Sequence, residues 1–144
     1  MSRFLFDVNV LIALIDSEHV RHEDAHKWLG AIGKSVWATC PITENGALRI
    51  AGSSRYAGSP GTLPAVVQSM ASLLSHPKHE FWPDDISLFD RQMVDSARLL
   101  SSAQTTDTYL LALAAAHGGK LATFDRRMIT SAVTGGRQAL HVIA

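Results

Sequence analysis

Residues 105–125 read TTDTYLLALAAAHGGKLATFD, and this stretch decides the class of fold. Its middle, YLLALAAAH, is apolar on nearly every side, as a helix is when it is buried all round. Thr106 can cap a helix over residues 107–117, and the glycine pair that follows can end it. The apolar residues 121–124 then predict a strand with an acidic residue directly after it. A buried helix that leads at once into a strand is typical of a parallel sheet covered by helices.

Strand and helix alternate in the same way along the rest of the chain. The predicted strands cover residues 3–6, 36–39, 79–82, 121–124 and 140–143. The predicted helices cover residues 9–16, 22–29, 41–51, 62–74, 87–100 and 107–117, with a further short helix before the last strand. Asn9 is a candidate cap for the first helix, and Ser87 with Asp90 three residues on is a candidate start for the fifth. This order predicts an α/β fold with a mostly parallel central sheet flanked by helices.

Length and composition limit the class of protein. The 144 residues predict one domain over residues 1–144, and 13 basic against 13 acidic residues exclude binding to nucleic acid by bulk positive charge. The single cysteine, Cys40, excludes an intramolecular disulfide. No apolar run approaches the roughly 20 residues of a membrane span, and Asp7 and Asn9 interrupt the apolar N-terminal stretch, which argues against a signal peptide. We therefore expect a cytoplasmic protein without a membrane partner.

Four acids stand at the ends of predicted elements. Asp7 and Asp125 directly follow the first and fourth strands, and Glu44 and Asp107 lie in the first turns of two helices. Ligands of open parallel sheets bind at the carboxyl ends of the strands, so these acids can converge on one pocket. Taken singly, Glu44, Asp107 and Asp125 also fit ordinary roles on a helix or turn. Asp7 is harder to explain in this way, because a carboxylate inside FLFDVNVLIALI is nearly buried and a buried charge needs a partner.

Mg²⁺ or Mn²⁺ can supply that partner. Clustered carboxylates repel one another and raise one another's pKa unless a cation lies among them. Hard divalent cations take oxygen ligands, typically carboxylates together with water and substrate phosphate. Such a site can hold a phosphodiester and activate a water molecule for its hydrolysis.

Three segments carry a resemblance to a known family: FDVNVLIAL at residues 6–14, PITENGALRIA at residues 41–51, and the opening stretch at residues 105–125. Together they resemble the PIN-domain ribonucleases, and within them the VapC toxins of VapBC toxin–antitoxin modules. The resemblance extends over nearly the whole chain. It implies a single PIN-like domain with a central parallel sheet of about five strands. It also implies endoribonuclease activity that depends on Mg²⁺ or Mn²⁺ and uses a metal-activated water.

The same resemblance assigns roles to particular residues. The four family acids fall on Asp7, Glu44, Asp107 and Asp125, with Asp7 and Asp107 as metal ligands. Glu44 and Asp125 would complete the cluster, by direct or water-mediated coordination and by orienting the attacking water. Asn9 would either hydrogen-bond to the ligands or only cap its helix. The family further implies homodimers, an RNA substrate, and a cognate VapB-type antitoxin that wraps the toxin and blocks the site.

Some polar residues have two interpretations. Asp84 and Asp85 follow the third strand and could add acids to the pocket, but we favour turn and helix capping. His22 and His26 have a spacing that can chelate zinc, yet no third ligand is near in sequence, so we favour a surface or packing role. Candidate contacts for flanking phosphates are Arg49, Arg126 and Arg127, although an exposed solvated position explains any one of them. Tyr56 and Trp82 are candidates for stacking on a base, but for Trp82 we favour core packing.

Two other functions are compatible with the acids. A metal-dependent phosphatase or a receiver-like phosphoacceptor also places an Asp after a strand. A phosphatase of the haloacid dehalogenase type has a second Asp two residues on, where this chain has Asn9. A non-catalytic PIN-like binding module is the other alternative, although a scaffold has no need for clustered negative charge.

Overall fold

Five parallel strands form the centre of the computed structural model, which describes residues 2–58 and 61–144. The strands are β1 (Arg3–Phe6), β2 (Val36–Thr39), β3 (His79–Phe81), β4 (Lys120–Thr123) and β5 (Leu140–Val142). Their order across the sheet is β3-β2-β1-β4-β5, and every neighbouring pair is parallel. The predicted α/β fold with a central parallel sheet is therefore confirmed.

Helices cover both faces of this sheet. They are α1 (Val8–Ile15), α2 (His22–Ala31), α3 (Pro41–Ala51), α4 (Leu63–Leu74) and α5 (Thr105–Ala116), with short 3₁₀ turns at Ser96–Arg98 and Ser102–Gln104. Side chains alternate between the two faces along each strand. Phe4 and Phe6 pack with helices α1 to α4, whereas Leu5 packs with α5. No helix among the described residues is both long and apolar enough to cross a membrane.

Helix α5 is buried nearly all round, as its sequence predicts, and leads directly into β4. Leu110, Leu111 and Leu113 are almost inaccessible to solvent. Gly118 ends the helix with a φ of +69°, a conformation that favours glycine. A Cβ atom on Gly119 would lie 2.7 Å from the backbone oxygen of Arg3, so only glycine lets the chain return this closely beside β1.

The predicted helix over residues 87–100 was wrong. This segment forms turns and one 3₁₀ turn, because backbone bonds to a distant segment hold residues 93–95 and leave only separate turns within 87–100. Val94 forms an antiparallel bridge with Val133, and the Asp95 amide donates to the Ala132 carbonyl at 2.8 Å. The same pairing explains why the short helix expected before β5 is absent from the described residues. The segment that would have formed it is held by these bonds.

Two helices begin earlier than predicted. Asp7, and not Asn9, caps α1: its Oδ1 accepts a hydrogen bond from the Val8 amide at 2.7 Å. Asn9 lies inside the first turn, so its predicted capping role was wrong. Helix α5 begins at Thr105 because the 3₁₀ turn before it runs straight into the helix. Both shifts leave the predicted acids at the starts of their helices.

Candidate active site

Three aspartates meet at the carboxyl end of the two central strands. Asp7 directly follows β1 and is 7% exposed, Asp125 follows β4, and Asp107 lies in the first turn of α5. Burial raises the pKa of Asp7, and the negative charge of Asp125 adds to this effect. Burial, together with the charges of Asp7 and Asp125, raises the pKa of Asp107 to about 6. The three carboxylates are therefore close enough to destabilise one another's charged forms.

The hydroxyl of Thr123 connects two of these acids. Thr123 Oγ1 donates to Asp7 Oδ2 at 2.8 Å and accepts from the Asp125 amide at 3.1 Å. It also accepts from Asn9 Nδ2 at 3.0 Å. Asn9 Oδ1 in turn accepts from the Phe124 amide at 3.2 Å, which ties α1 to the end of β4. Asn9 thus bonds to residues next to the acids, and its role beside a bound metal stays a prediction.

Sequence reasoning missed Thr123. The only signal was a threonine two residues before Asp125 in the strand LATF. Threonine is common in strands for reasons of packing, so that position alone does not indicate a polar role. The pairing of β1 with β4 is what brings its hydroxyl to Asp7.

Among the described residues, no ion pair joins a basic side chain to Asp7, Asp107 or Asp125. The ion pairs recorded in the described part of the chain are Arg3–Glu80, Arg21–Asp24, Arg98–Asp95 and His117–Asp85. A set of carboxylate oxygens with unbalanced negative charge has the chemistry of a site for a hard divalent cation. As the side chains stand, residues 2–58 and 61–144 contain no group of three or more His, Cys, Asp or Glu side chains spaced to hold a metal ion. The carboxylates of Asp7, Asp107 and Asp125 must therefore move closer together to bind one cation.

Glu44 makes its contacts on the other side of strand β1, at the ends of β2 and β3. It lies in the first turn of α3, and its Oε2 accepts a hydrogen bond from Thr39 Oγ1 at 2.6 Å. Thr39 ends β2, and its hydroxyl is also 2.7 Å from His79 Nε2 on β3. The structure thus shows interaction among three of the four predicted acids and places the fourth beside β2 and β3.

A cavity of about 180 Å³ opens beside two of the acids. Asp107 and Asp125 form one part of its lining, and Ser101, Arg127 and Ile129 lie among the other lining residues. Arg127 is exposed, and its amide donates to Asp125 Oδ1 at 2.9 Å. Of the three arginines considered for phosphate binding, Arg127 is therefore the one that lines this cavity.

Other predicted contacts lie elsewhere. Arg49 and Tyr56 line a separate cavity of about 370 Å³, and the Tyr56 hydroxyl donates to the buried Asp16. Trp82 is buried and stacks on His117, with ring centroids 4.3 Å apart. These contacts give Tyr56 and Trp82 packing roles within the protein.

The paired acids after β3 make separate contacts. Asp85 Oδ1 lies 3.1 Å from His117 Nε2. Burial raises the pKa of Tyr109 to about 12, with a further contribution from the charge of Asp84. Neither acid lines the cavity beside Asp107. Their predicted role in capping a helix was wrong, because residues 87–100 do not form one.

His22 and His26 bond to the last turn of α1. His22 Nδ1 lies 2.7 Å from the Ala13 carbonyl oxygen, and His26 Nε2 lies 2.8 Å from that of Leu14. The end of a helix leaves carbonyl groups without partners, and these imidazoles satisfy two of them. The pair thus has a packing role.

Comparison with known proteins agrees with this geometry. A family model described as PIN domain matches residues 4–132. Ribonuclease VapC44 of Mycobacterium tuberculosis is 43% identical over 133 residues, which is 92% of this chain and 93% of that protein. Ribonuclease VapC39 of the same organism is 42% identical over 132 residues, or 91% of this chain and 94% of that protein.

A solved structure has the same fold. The crystal structure of VapC20 from Mycobacterium tuberculosis, described as a toxin that cleaves the sarcin–ricin loop, superposes with a TM-score of 0.63. The match covers 91% of this chain and 96% of VapC20 at 13% identity, so it supports the fold alone. Together with the matched family model and the VapC relatives above 40% identity, it shows that this chain belongs to the PIN-domain family, among the VapC ribonucleases.

Proposed function

We propose that this chain is the endoribonuclease toxin of a type II toxin–antitoxin module. The observation that carries the proposal is the group of three mutually repelling aspartates at the carboxyl ends of β1 and β4. It occurs in a chain that is 43% identical to a protein named as a ribonuclease. Carboxylates at this edge of a parallel sheet are suited to hydrolysis of a phosphodiester.

The proposed cofactor is Mg²⁺ or Mn²⁺. Asp7, Asp107 and Asp125 would hold it, and Glu44 would complete the site directly or through water. A divalent cation at such a site supplies positive charge that activates water and stabilises the charge developing on the phosphate. The mutual repulsion of the aspartates supports this proposal, because a cation would relieve it.

The chain's own residues orient the acids. The Val8 amide and the Thr123 hydroxyl each donate to Asp7, and both bonds favour its charged form against the effect of burial. Asn9 donates to Thr123 Oγ1, so the single hydroxyl hydrogen is directed to Asp7. The carboxylates of Asp125 and Glu44 can accept hydrogen bonds from an attacking water and so orient it. Arg127, at the cavity beside Asp107, is placed to contact a flanking phosphate.

The proposed macromolecular partners are RNA, a VapB-type antitoxin and a second copy of this chain. The names of the VapC relatives support the first two, and the family resemblance supports the homodimer. Co-expression with the product of a small reading frame next to this gene, followed by co-purification, tests the antitoxin. Light scattering of the purified chain at several concentrations tests the homodimer.

Cleavage of RNA by the purified chain tests the activity. Total RNA is incubated with wild type and Asp7→Asn, each with Mg²⁺, with Mn²⁺ and with chelator. Asp85→Asn is the matched control, because Asp85 is an exposed acid outside the cavity. We expect discrete fragments that need the cation, that disappear with Asp7→Asn and that persist with Asp85→Asn. Hydrolysis of a small phosphoester without RNA cleavage would instead favour a phosphatase.

A further inference from the structure

Three polar side chains form a line at the carboxyl end of β2. Thr39 Oγ1 lies 2.6 Å from Glu44 Oε2 and 2.7 Å from His79 Nε2. The three residues come from α3, β2 and β3, and Thr39 in the middle is completely buried. A buried threonine hydroxyl can bond to a nearby backbone carbonyl. Here both of its partners are side chains from other elements, and one of them is Glu44, the second of the four family acids in chain order.

The direction of the two hydrogen bonds follows from the available hydrogens. An ionised carboxylate only accepts, so the single hydrogen of the Thr39 hydroxyl is donated to Glu44. Thr39 Oγ1 must then accept from His79, which requires the hydrogen of the imidazole to be on Nε2. A neutral imidazole in this tautomer meets the requirement. The line therefore has one consistent direction, from His79 through Thr39 to Glu44.

His79 is itself held in place. Its ring packs on the ring of buried Trp37, with centroids 4.8 Å apart and an interplanar angle of 51°. Trp37 is opposite His79 in the parallel register of β2 and β3. Burial lowers the pKa of His79, which favours the neutral imidazole. The donor at the start of the line thus has a fixed position, and the imidazole can donate from Nε2 in either charge state.

We propose that Thr39 and His79 are positioning residues for Glu44 in RNA cleavage. Their hydrogen bonds hold one carboxylate oxygen of Glu44 at the end of β2, which sets the direction of the carboxylate toward substrate, water or cation. The inference rests on the proposed endoribonuclease function and adds Thr39 and His79 to the residues on which RNA cleavage depends. Side chains that hold a ligand in place are typically worth about 10–100-fold in activity or metal affinity.

The test uses Thr39→Val, which keeps the shape of the side chain and removes the hydroxyl. Thr39→Ser restores the hydroxyl, and His79→Phe removes the donor behind it. Thr108→Val is the matched control, because Thr108 is equally buried and its hydroxyl is among those without a hydrogen-bond partner in the described residues. Each variant is also made in a Glu44→Gln background. Steady-state cleavage of RNA gives kcat and KM, and thermal unfolding checks the fold.

We expect Thr39→Val and His79→Phe to lower kcat by about 10–100-fold with little change in KM. Thr39→Ser should recover most of the loss, and Thr108→Val should leave kcat unchanged. In the Glu44→Gln background, Thr39→Val should cause no further loss, because residues that act through one another are not additive. A merely structural role would give the same loss in both backgrounds.

Two results would overturn the inference. The first is an equal loss for Thr39→Val with and without Glu44, and the second is a Glu44→Gln variant with wild-type kcat. Failure of the proposed function gives a different pattern, namely wild-type protein that cleaves no RNA in any cation. That outcome would remove this inference together with the function on which it rests.

Discussion

At the scale of single residues, the Thr123 hydroxyl has more polar partners than an ordinary core threonine. It bonds to Asp7, to Asn9 and to the amide of Asp125, and it is completely buried. Removing one partner of a buried charge leaves that charge poorly solvated. The position of Asp7 therefore depends on Thr123, which lies two residues before Asp125 in the sequence.

Thr123→Val tests this dependence. We expect unfolding free energy to fall by about 1–3 kcal/mol, because Asp7 loses a hydrogen bond to its charged form. We also expect RNA cleavage to fall by about 10–100-fold. Thr123→Ser keeps the hydroxyl and should recover most of both losses. Urea unfolding and cleavage rates measure the two effects, and a Ser variant as impaired as the Val variant would contradict the assigned role of the hydroxyl.

Asp107 predicts a pH dependence of stability in the cation-free protein. Its pKa of about 6 is above the ordinary value of about 4 for an aspartate. The folded state therefore binds more protons than the unfolded state between about pH 4 and pH 6, so stability is lost as pH rises through this window. Asp107→Asn should remove this loss. Because Asp107 is partly exposed, solvent limits the expected gain at pH 7 to about 1 kcal/mol.

The measurement is chemical unfolding of both proteins from pH 4 to pH 7 in chelator. The advantage of Asp107→Asn over wild type should grow with pH and level off above about pH 6. A difference that stays constant over the whole range would mean that folding does not raise the pKa of Asp107 through burial and the charges of Asp7 and Asp125.

Residue patterns predict some of this site and miss the rest. Asp7 stands out because it interrupts an apolar run, and the structure shows it buried. Asp107 and Asp125 stand out because they flank the buried helix and the strand that follows. The partner of Glu44 was not predictable in the same way. Thr39 meets Glu44 across the turn between β2 and α3, but His79 reaches Thr39 only because β2 pairs with β3, and nothing in the sequence of either strand specifies that pairing.

At the scale of elements, α1 and α3 approach closely next to the site. A Cβ atom on Gly46 of α3 would lie 2.8 Å from Val8 Cγ2 in the first turn of α1. Val8 directly follows Asp7, and its amide donates to the Asp7 carboxylate. The contact between these helices therefore supports the position of the first acid.

Gly46→Ala should disturb that contact. We expect it to destabilise the protein by about 1–3 kcal/mol, because the extra methyl group overpacks the interface. Gly30→Ala in α2 is the control, since no atom lies within 4 Å of the added Cβ and alanine favours a helix by about 0.5–1 kcal/mol. Thermal unfolding should show opposite shifts for the two variants. A stabilised Gly46→Ala protein would mean that Val8 can move aside freely.

Local signals predicted elements well where the backbone bonds within the element. Pro41 opens α3 and Thr62 caps α4, as their sequences indicate. The segment over residues 87–100 has similar signals in Ser87 and Asp90, but its backbone pairs with residues 132–134. A long-range partner of this kind leaves no periodic pattern in the sequence, which explains why that helix was predicted wrongly.

At the scale of the whole molecule, the strand order creates the site. The chain places β2 and β3 on one side of β1 and then returns to place β4 and β5 on the other. Ligands of such sheets bind where the direction of winding changes, and Asp7 follows the strand at that point. The alternation of strands and helices predicts a parallel sheet, but it does not specify this order.

A divalent cation should stabilise the whole molecule. A ligand that binds only the folded state at about 100 times its Kd contributes about 2.7 kcal/mol, so the melting temperature should rise by several degrees. The rise should be lost in Asp7→Asn, and Na⁺ at matched ionic strength should not reproduce it. Thermal unfolding with Mn²⁺, Mg²⁺ and chelator measures this. An equal rise in wild type and Asp7→Asn would place the cation elsewhere.

The most direct test of the aspartate site is the rate of RNA cleavage as Mn²⁺ is titrated into chelator-treated protein. Wild type and Asp107→Asn are compared on the same RNA. We predict that the wild-type rate rises from zero and saturates with Mn²⁺, and that Asp107→Asn stays folded but does not cleave. Cleavage without any cation, or the same Mn²⁺ dependence in Asp107→Asn, would contradict the assignment of these aspartates as the centre of a metal-dependent endoribonuclease.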